Sequence, residues 1–323
     1  MLQIPWFDNA LLVFIITALT IAWAGCVRRN PGGGGVSANA GGQDRFFDSN
    51  GVRTRYVVNG RESAEPIVFI NGFPERLEVW SGIVTSEPLK GYRLIRFDHR
   101  GLGMSDKPHD RQKYGKEMVE DVVRLLDHLK IRKAHVVGYS MGAWITLKFV
   151  TVYPERVMTA TLGGNAGLHP AQAMRQQIIA DAIEGKDISV AVMNLSLPDG
   201  RKLSEEEAKE TELLLRAVGN QYAAELDPRA VAPMMRGFAD LVVTDEELKN
   251  NRTPTLALYS NENDAGRALA GEITALGRRM PNVSVFQIKD ANHGNARSKP
   301  QFVEALAEFL AKHAPPGSEI ERK

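Results

Sequence analysis

The chain has 323 residues, 40 Lys plus Arg against 39 Asp plus Glu, and a single cysteine. That length holds one large α/β domain or two small ones. The balanced charge leaves no basic surplus to suggest nucleic acid and no acidic tail, and a lone Cys26 excludes an intrachain disulfide and a cysteine-based zinc site.

Residues 9–27 carry no charge, and the apolar run at 10–25 is at the short edge of what spans a bilayer. Ala24-Gly25-Cys26 at its end fits a bacterial lipoprotein signal with Cys26 as the lipidated residue. A transmembrane anchor is the competing reading, and Arg28 and Arg29 would then place the rest of the chain in the cytoplasm. A third reading is an N-terminal extension without a defined role. The expectation is membrane attachment, with lipoprotein-like export favoured over a cytoplasm-facing anchor. Lipidation of Cys26 distinguishes the first two. Residues 30–43 are rich in glycine, cannot bury a core, and read as a tether.

Residues 45–59 read as two strands around the turn Asp48-Ser49-Asn50-Gly51. The apolar run 66–70 suits a strand buried on both faces and ends at Asn71-Gly72-Phe73-Pro74. A helical segment is expected around 79–89 and a strand at 93–97. The loop-formers Asp98-His99-Arg100-Gly101 through Asp106 come next. Residues 114–129 carry Met118, Val122, Leu125, Leu126 and Leu129 on one stripe, which predicts an amphipathic helix.

At 135–139 an apolar strand meets Gly138-Tyr139-Ser140-Met141-Gly142, and a helical pattern follows through Trp144, Leu147 and Val150. A serine at such a strand–turn–helix apex sits in a strained backbone, and larger residues two positions away would collide with strand or helix. The helix start aims N–H groups and a positive dipole end at the serine oxygen. Residues 157–162 give the next strand. Strands alternating with helices imply right-handed βαβ units in a parallel sheet, with ligands beyond the carboxyl ends of the strands. Asn71, Asp98, Ser140 and Asn165 all lie there.

From 168 to about 250 the alternation stops. This stretch reads as helical, clearest at 204–218, where Ser204 and Glu207 fit a capping box. It would form a lid over the strand ends. Strands return at 255–259 and 283–288, helices at 265–279 and 301–313.

The chain resembles the α/β-hydrolase superfamily, in its serine-nucleophile esterase and lipase-like members, over about 46–314. The resemblance rests on Asn71-Gly72-Phe73-Pro74, Asp98-His99-Arg100-Gly101-x-Gly103-x-Ser105, Gly138-Tyr139-Ser140-Met141-Gly142 and the late His293-Gly294. It implies a mostly parallel central sheet with helices on both faces and a helical cap inserted before the last two strands. The chain would divide into a signal or anchor (1–29), a linker (30–43), the hydrolase domain (44–314, cap about 168–250) and a polar tail (315–323).

By the resemblance, Ser140 is the nucleophile, His293 the general base, and the backbone N–H groups of Phe73 and Met141 the oxyanion hole. His99 takes a structural role. Asn71 replaces the family's usual histidine but can still hold its loop by hydrogen bonding. The family places its acid three residues after a glycine that closes the strand at 255–259. Ser260 stands for that glycine, so Asn263 falls in the acid position. Asp264, one residue on, is the expected acid, with Glu262 the alternative. The segment through Glu75, with Trp80, also resembles epoxide hydrolases and haloalkane dehalogenases, which use an aspartate nucleophile. Ser140 in that position implies acyl transfer instead, and Trp80 reads as packing. Neither a cofactor nor a metal is expected. The expected activity is hydrolysis of a small apolar or lipid-like carboxylic ester. Lactone, amide and C–C bond hydrolysis, perhydrolysis, and a non-catalytic binding role are the alternatives. The oligomeric state has no signal in the sequence.

Overall fold

The computed structural model describes residues 42–195, 201–260 and 264–314, and no side chain of 264–268. The proposed signal or anchor, all but the end of the linker, the acid candidates Glu262 and Asn263, and the C-terminal tail lie outside that range. Among the described residues no helix is long and apolar enough to cross a membrane.

Eight strands form one sheet in the order β1-β2-β4-β3-β5-β6-β7-β8. They are β1 (Arg45–Asp48), β2 (Arg53–Asn59), β3 (Pro66–Ile70), β4 (Arg93–Phe97), β5 (Ala134–Tyr139), β6 (Val157–Gly163), β7 (Thr255–Ser260) and β8 (Val283–Ile288). The hairpin β1–β2 joins the sheet antiparallel to β4, and all other pairings are parallel. The order steps outward from β3 and β5, so the strand-end loops gather near the middle of the sheet, where a ligand site is expected.

The helices are α1 (Ser81–Val84), α2 (Lys116–His128), α3 (Met141–Val152), α4 (Pro170–Ile183), α5 (Ser189–Met193), α6 (Glu205–Glu225), α7 (Pro228–Gly237), α8 (Asp245–Asn250), α9 (Asp264–Arg279) and α10 (Pro300–Lys312). Strand alternation sorts the core onto two faces. Val68 and Ile70 of β3 and Val136 of β5 pack with α2 and α3, whereas Ile67, Phe69, Val137 and Tyr139 pack with α1 and α10. The segment expected to be one helix at 79–89 is broken into a 3-10 turn (Leu77–Trp80), the single turn α1 and a second 3-10 turn (Glu87–Leu89). Pro88 sits at the start of that last turn, where its ring stops an incoming helix.

The cap, α4 to α8, is inserted between β6 and β7. Its longest helix, α6, begins at the expected capping box: Ser204 Oγ accepts from the Glu207 N–H at 3.2 Å, and the Glu207 carboxylate accepts from the Ser204 N–H at 2.7 Å. The helix runs on to Glu225, beyond the expected end at 218. The cap shares one continuous apolar core with the sheet, through Leu215, Val218, Met234 and Phe238. It reaches the strand ends directly: the Tyr222 ring of α6 meets the Phe73 ring edge-on at 5.1 Å.

Candidate active site

Ser140 stands between β5 and α3 with φ 56° and ψ −118°. A non-glycine residue in that region is strained and persists only where its surroundings dictate it. Here Gly138 and Gly142 dictate it. A Cβ on Gly142 would overlap the Ile70 carbonyl oxygen, and one on Gly138 would overlap the Gly142 carbonyl oxygen. The helix therefore starts in backbone contact with the strands. The Ser140 N–H is tied to the Gly163 carbonyl of β6 at 2.9 Å. The N–H of Met141, first residue of α3, is a helix-start donor without an intrahelical partner. The serine is 7% exposed, beneath the cap.

The loop after β3 folds back on itself at the same place. The Glu75 N–H donates to the Gly72 carbonyl at 3.1 Å, and the Gly72 N–H donates to Glu75 Oε2 at 3.0 Å. Asn71 Nδ2 donates to the Glu75 carbonyl at 2.8 Å, so the amide that replaces the usual histidine does hold the loop. His99 Nε2 bonds to the Asn71 carbonyl at 3.0 Å. Complete burial pushes the His99 imidazole below its ordinary pKa and so favours the neutral ring.

The Asp98-His99-Arg100 segment is a scaffold. Asp98 accepts from the Leu77 and Met104 N–H groups at 2.8 and 2.9 Å. Arg100 forms a fork on Asp121 of α2 through Nε at 2.7 Å and Nη2 at 2.6 Å. These bonds fix the loop that supports Asn71.

His293 lies in the loop after β8. Its Nδ1 side rests against Gly164, the residue after β6, where an added Cβ would stand 3.0 Å from Nδ1. The Nε2 atom is buried and has no protein partner among the described residues. Burial pulls the His293 pKa down to about 4, with the Glu75 charge opposing that fall and the Arg297 charge adding to it. Tyr139, the residue before the nucleophile candidate, donates its hydroxyl to the His293 carbonyl at 2.5 Å.

Ser140, Phe73, Met141 and His293 thus gather at the carboxyl ends of β3, β5, β6 and β8. Asp264 begins α9, just past β7, on the same side of the sheet. The site also contains what the sequence reading did not single out. Arg297, near the start of α10, clasps Glu75 through Nη1 at 2.9 Å and Nη2 at 2.6 Å, across 222 positions of sequence. Such a long-range pair has no local signal. Trp80 is fully buried, 5.1 Å from the Phe69 ring and under the Arg297 guanidinium, which is the packing role expected for it.

Comparison with known proteins agrees with this architecture. Residues 65–181 match a family model described as the alpha/beta hydrolase fold. The chain is 34% identical over 120 residues to 2-hydroxymuconate semialdehyde hydrolase of a Pseudomonas species, covering 36% of this chain and 42% of that protein. It is 29% identical over 140 residues to epoxide hydrolase A of Mycobacterium tuberculosis, covering 42% and 44%. The chain spans less than half the length of the curated relatives it matches. A solved structure from a study of carboxylesterases of the thaumarchaeon Nitrososphaera gargenis superposes with a TM-score of 0.61 at 18% identity, over 84% of this chain and 98% of that one. The strand order, the strained Ser140 corner and these matches together show the α/β-hydrolase fold.

Proposed function

We propose that the protein is a serine hydrolase acting on a carboxylic ester, small and apolar or lipid-like, through an acyl-enzyme on Ser140. The observation that carries this reading is the serine itself. It is held at positive φ at the carboxyl end of β5 with a helix-start N–H beside it, and the half-buried His293 keeps a buried Nε2 without a partner.

His293 takes the Ser140 proton through its unpartnered Nε2. The serine oxygen attacks the ester carbonyl, and the oxyanion is received by the N–H groups of Phe73 and Met141, each worth about 3 kcal/mol in the transition state. The imidazolium returns its proton to the leaving alcohol. Water activated by the same histidine then releases the acid. Asp264 is the proposed acid, which would hold the tautomer and stabilise the imidazolium. The apolar cap side chains, Tyr222 above Phe73 among them, suit an apolar acyl or alcohol group.

Similarity to an epoxide hydrolase does not transfer that chemistry. A serine opening an epoxide would form an ether, which the site has no means to hydrolyse, whereas a serine ester is readily hydrolysed. Attachment to a membrane through residues 10–25 or a lipid on Cys26 belongs to the same proposal. The test is turnover of a p-nitrophenyl ester series by wild type and Ser140→Ala. Turnover by wild type alone supports the reading, and equal rates for the two proteins contradict it.

A further inference from the structure

We propose that the Glu75–Arg297 ion pair is a positioning clamp that sets the oxyanion loop in register with the histidine loop and cancels a negative charge beside the developing oxyanion. The inference deepens the serine-hydrolase reading and rests on it.

Geometry carries it. Glu75 closes the loop after β3 at two points, through its N–H on the Gly72 carbonyl and its carboxylate on the Gly72 N–H. A trans peptide directs its C=O and N–H to opposite sides. Binding the Gly72 carbonyl therefore orients the plane that carries the Phe73 N–H, one of the two proposed oxyanion donors. The same carboxylate receives a two-pronged guanidinium from Arg297. Arg297 is four residues from His293, so the fork ties the donor to the base. A bidentate pair fixes orientation as well as distance, which a single ammonium does not.

The guanidinium is itself held. It lies 4.6 Å from the Tyr139 ring and 5.1 Å from the Trp80 ring. Its side chain is 11% exposed, unlike a loose surface ion pair. Tyr139 also binds the His293 carbonyl, so three loops, from β3, β5 and β8, meet on this one pair.

The pair has an electrostatic side as well. Glu75 Oε2 and Ser140 Cβ stand within 3.0 and 3.1 Å of a single point, the place of a Cβ on Gly72. A carboxylate so near the nucleophile opposes the negative charge that forms during attack. Arg297 offsets it while leaving its hydrogen bond to Gly72 in place.

The experiment compares Glu75→Gln, Arg297→Met, Arg297→Lys and the double variant Glu75→Gln/Arg297→Met. It measures kcat and KM on a p-nitrophenyl ester, the rate of Ser140 labelling by a fluorophosphonate, and the thermal midpoint. Arg297→Met, which leaves the carboxylate bare, is expected to lower kcat and the labelling rate by about 100-fold, with KM changed less than about 3-fold. Glu75→Gln should cost about 10-fold, and Arg297→Lys should fall between wild type and Arg297→Met. The double variant should recover about 10-fold relative to Arg297→Met. A double variant as slow as the product of the two single losses, losses confined to KM, or single variants at wild-type rates would overturn the clamp. If Arg297→Met does not fold, Arg297→Lys and Glu75→Gln still decide, because wild-type rates in both overturn it. Unlabelled, folded wild type would bring down the serine-hydrolase reading and the clamp with it. Labelled wild type with unaffected variants brings down the clamp alone.

Discussion

Replacing Gly142 by alanine sets two physical effects against each other. Gly142 is the second residue of α3, and alanine in a helix is ordinarily favoured over glycine by about 0.5–1 kcal/mol. The structure predicts the opposite sign. The new Cβ would fall on the Ile70 carbonyl, 2.7 Å from its carbon and 2.9 Å from the Asn71 oxygen. Ordinary carbon contacts need about 3.5–4.0 Å, so α3 and the end of β3 must part by roughly 1 Å. Overpacking of this kind costs about 1–3 kcal/mol, more than helix propensity returns. The displacement also separates the Met141 N–H from the loop carrying the Phe73 N–H. If these N–H groups form the proposed oxyanion hole, misplacing one costs about 10²–10³ in kcat. The assay is kcat and KM for a p-nitrophenyl ester, with the denaturation midpoint measured alongside. A Gly142→Ala protein that is both more stable and fully active would refute the claim that this backbone contact builds the oxyanion hole.

Two more predictions concern the other site groups. As the proposed general base His293 works in its neutral form, and burial lowers its pKa to about 4, against 6.5 for an unperturbed ring. Activity should therefore persist as pH falls and be lost only through about pH 4. At pH 5 the rate should be about 30-fold higher than an unshifted histidine would allow. A kcat/KM profile with its acid limb centred near 6.5 would contradict this. Asp264→Asn should lower ester turnover by several orders of magnitude through the wrong histidine tautomer, and a near-wild-type rate would assign the acid role elsewhere, with Glu262 next.

Much of the architecture was legible because it rests on short-range rules. The five-residue apolar run at β3, the alternation resuming at β7, and the Ser204–Glu207 box each report a local preference, and each element forms where that preference places it. The glycines around Ser140 were legible for the same reason, since steric exclusion acts over two residues. The break within 79–89 was less so, because Pro88 interrupts an otherwise helical pattern at its far end. The site was legible at the ends of strands and nowhere else. The clasp of Glu75 by Arg297, the Gly164 backbone against His293 and the Tyr222 ring over Phe73 depend on loops that only the finished sheet brings together. The Asp264 side chain lies outside the described residues.

The most direct test of the central claim is the intact mass of the protein after treatment with a fluorophosphonate. The account predicts a single adduct, mapped to Ser140, formed by wild type and by no Ser140→Ala protein. A folded wild type that gains no mass, or an adduct that survives Ser140→Ala, would contradict it.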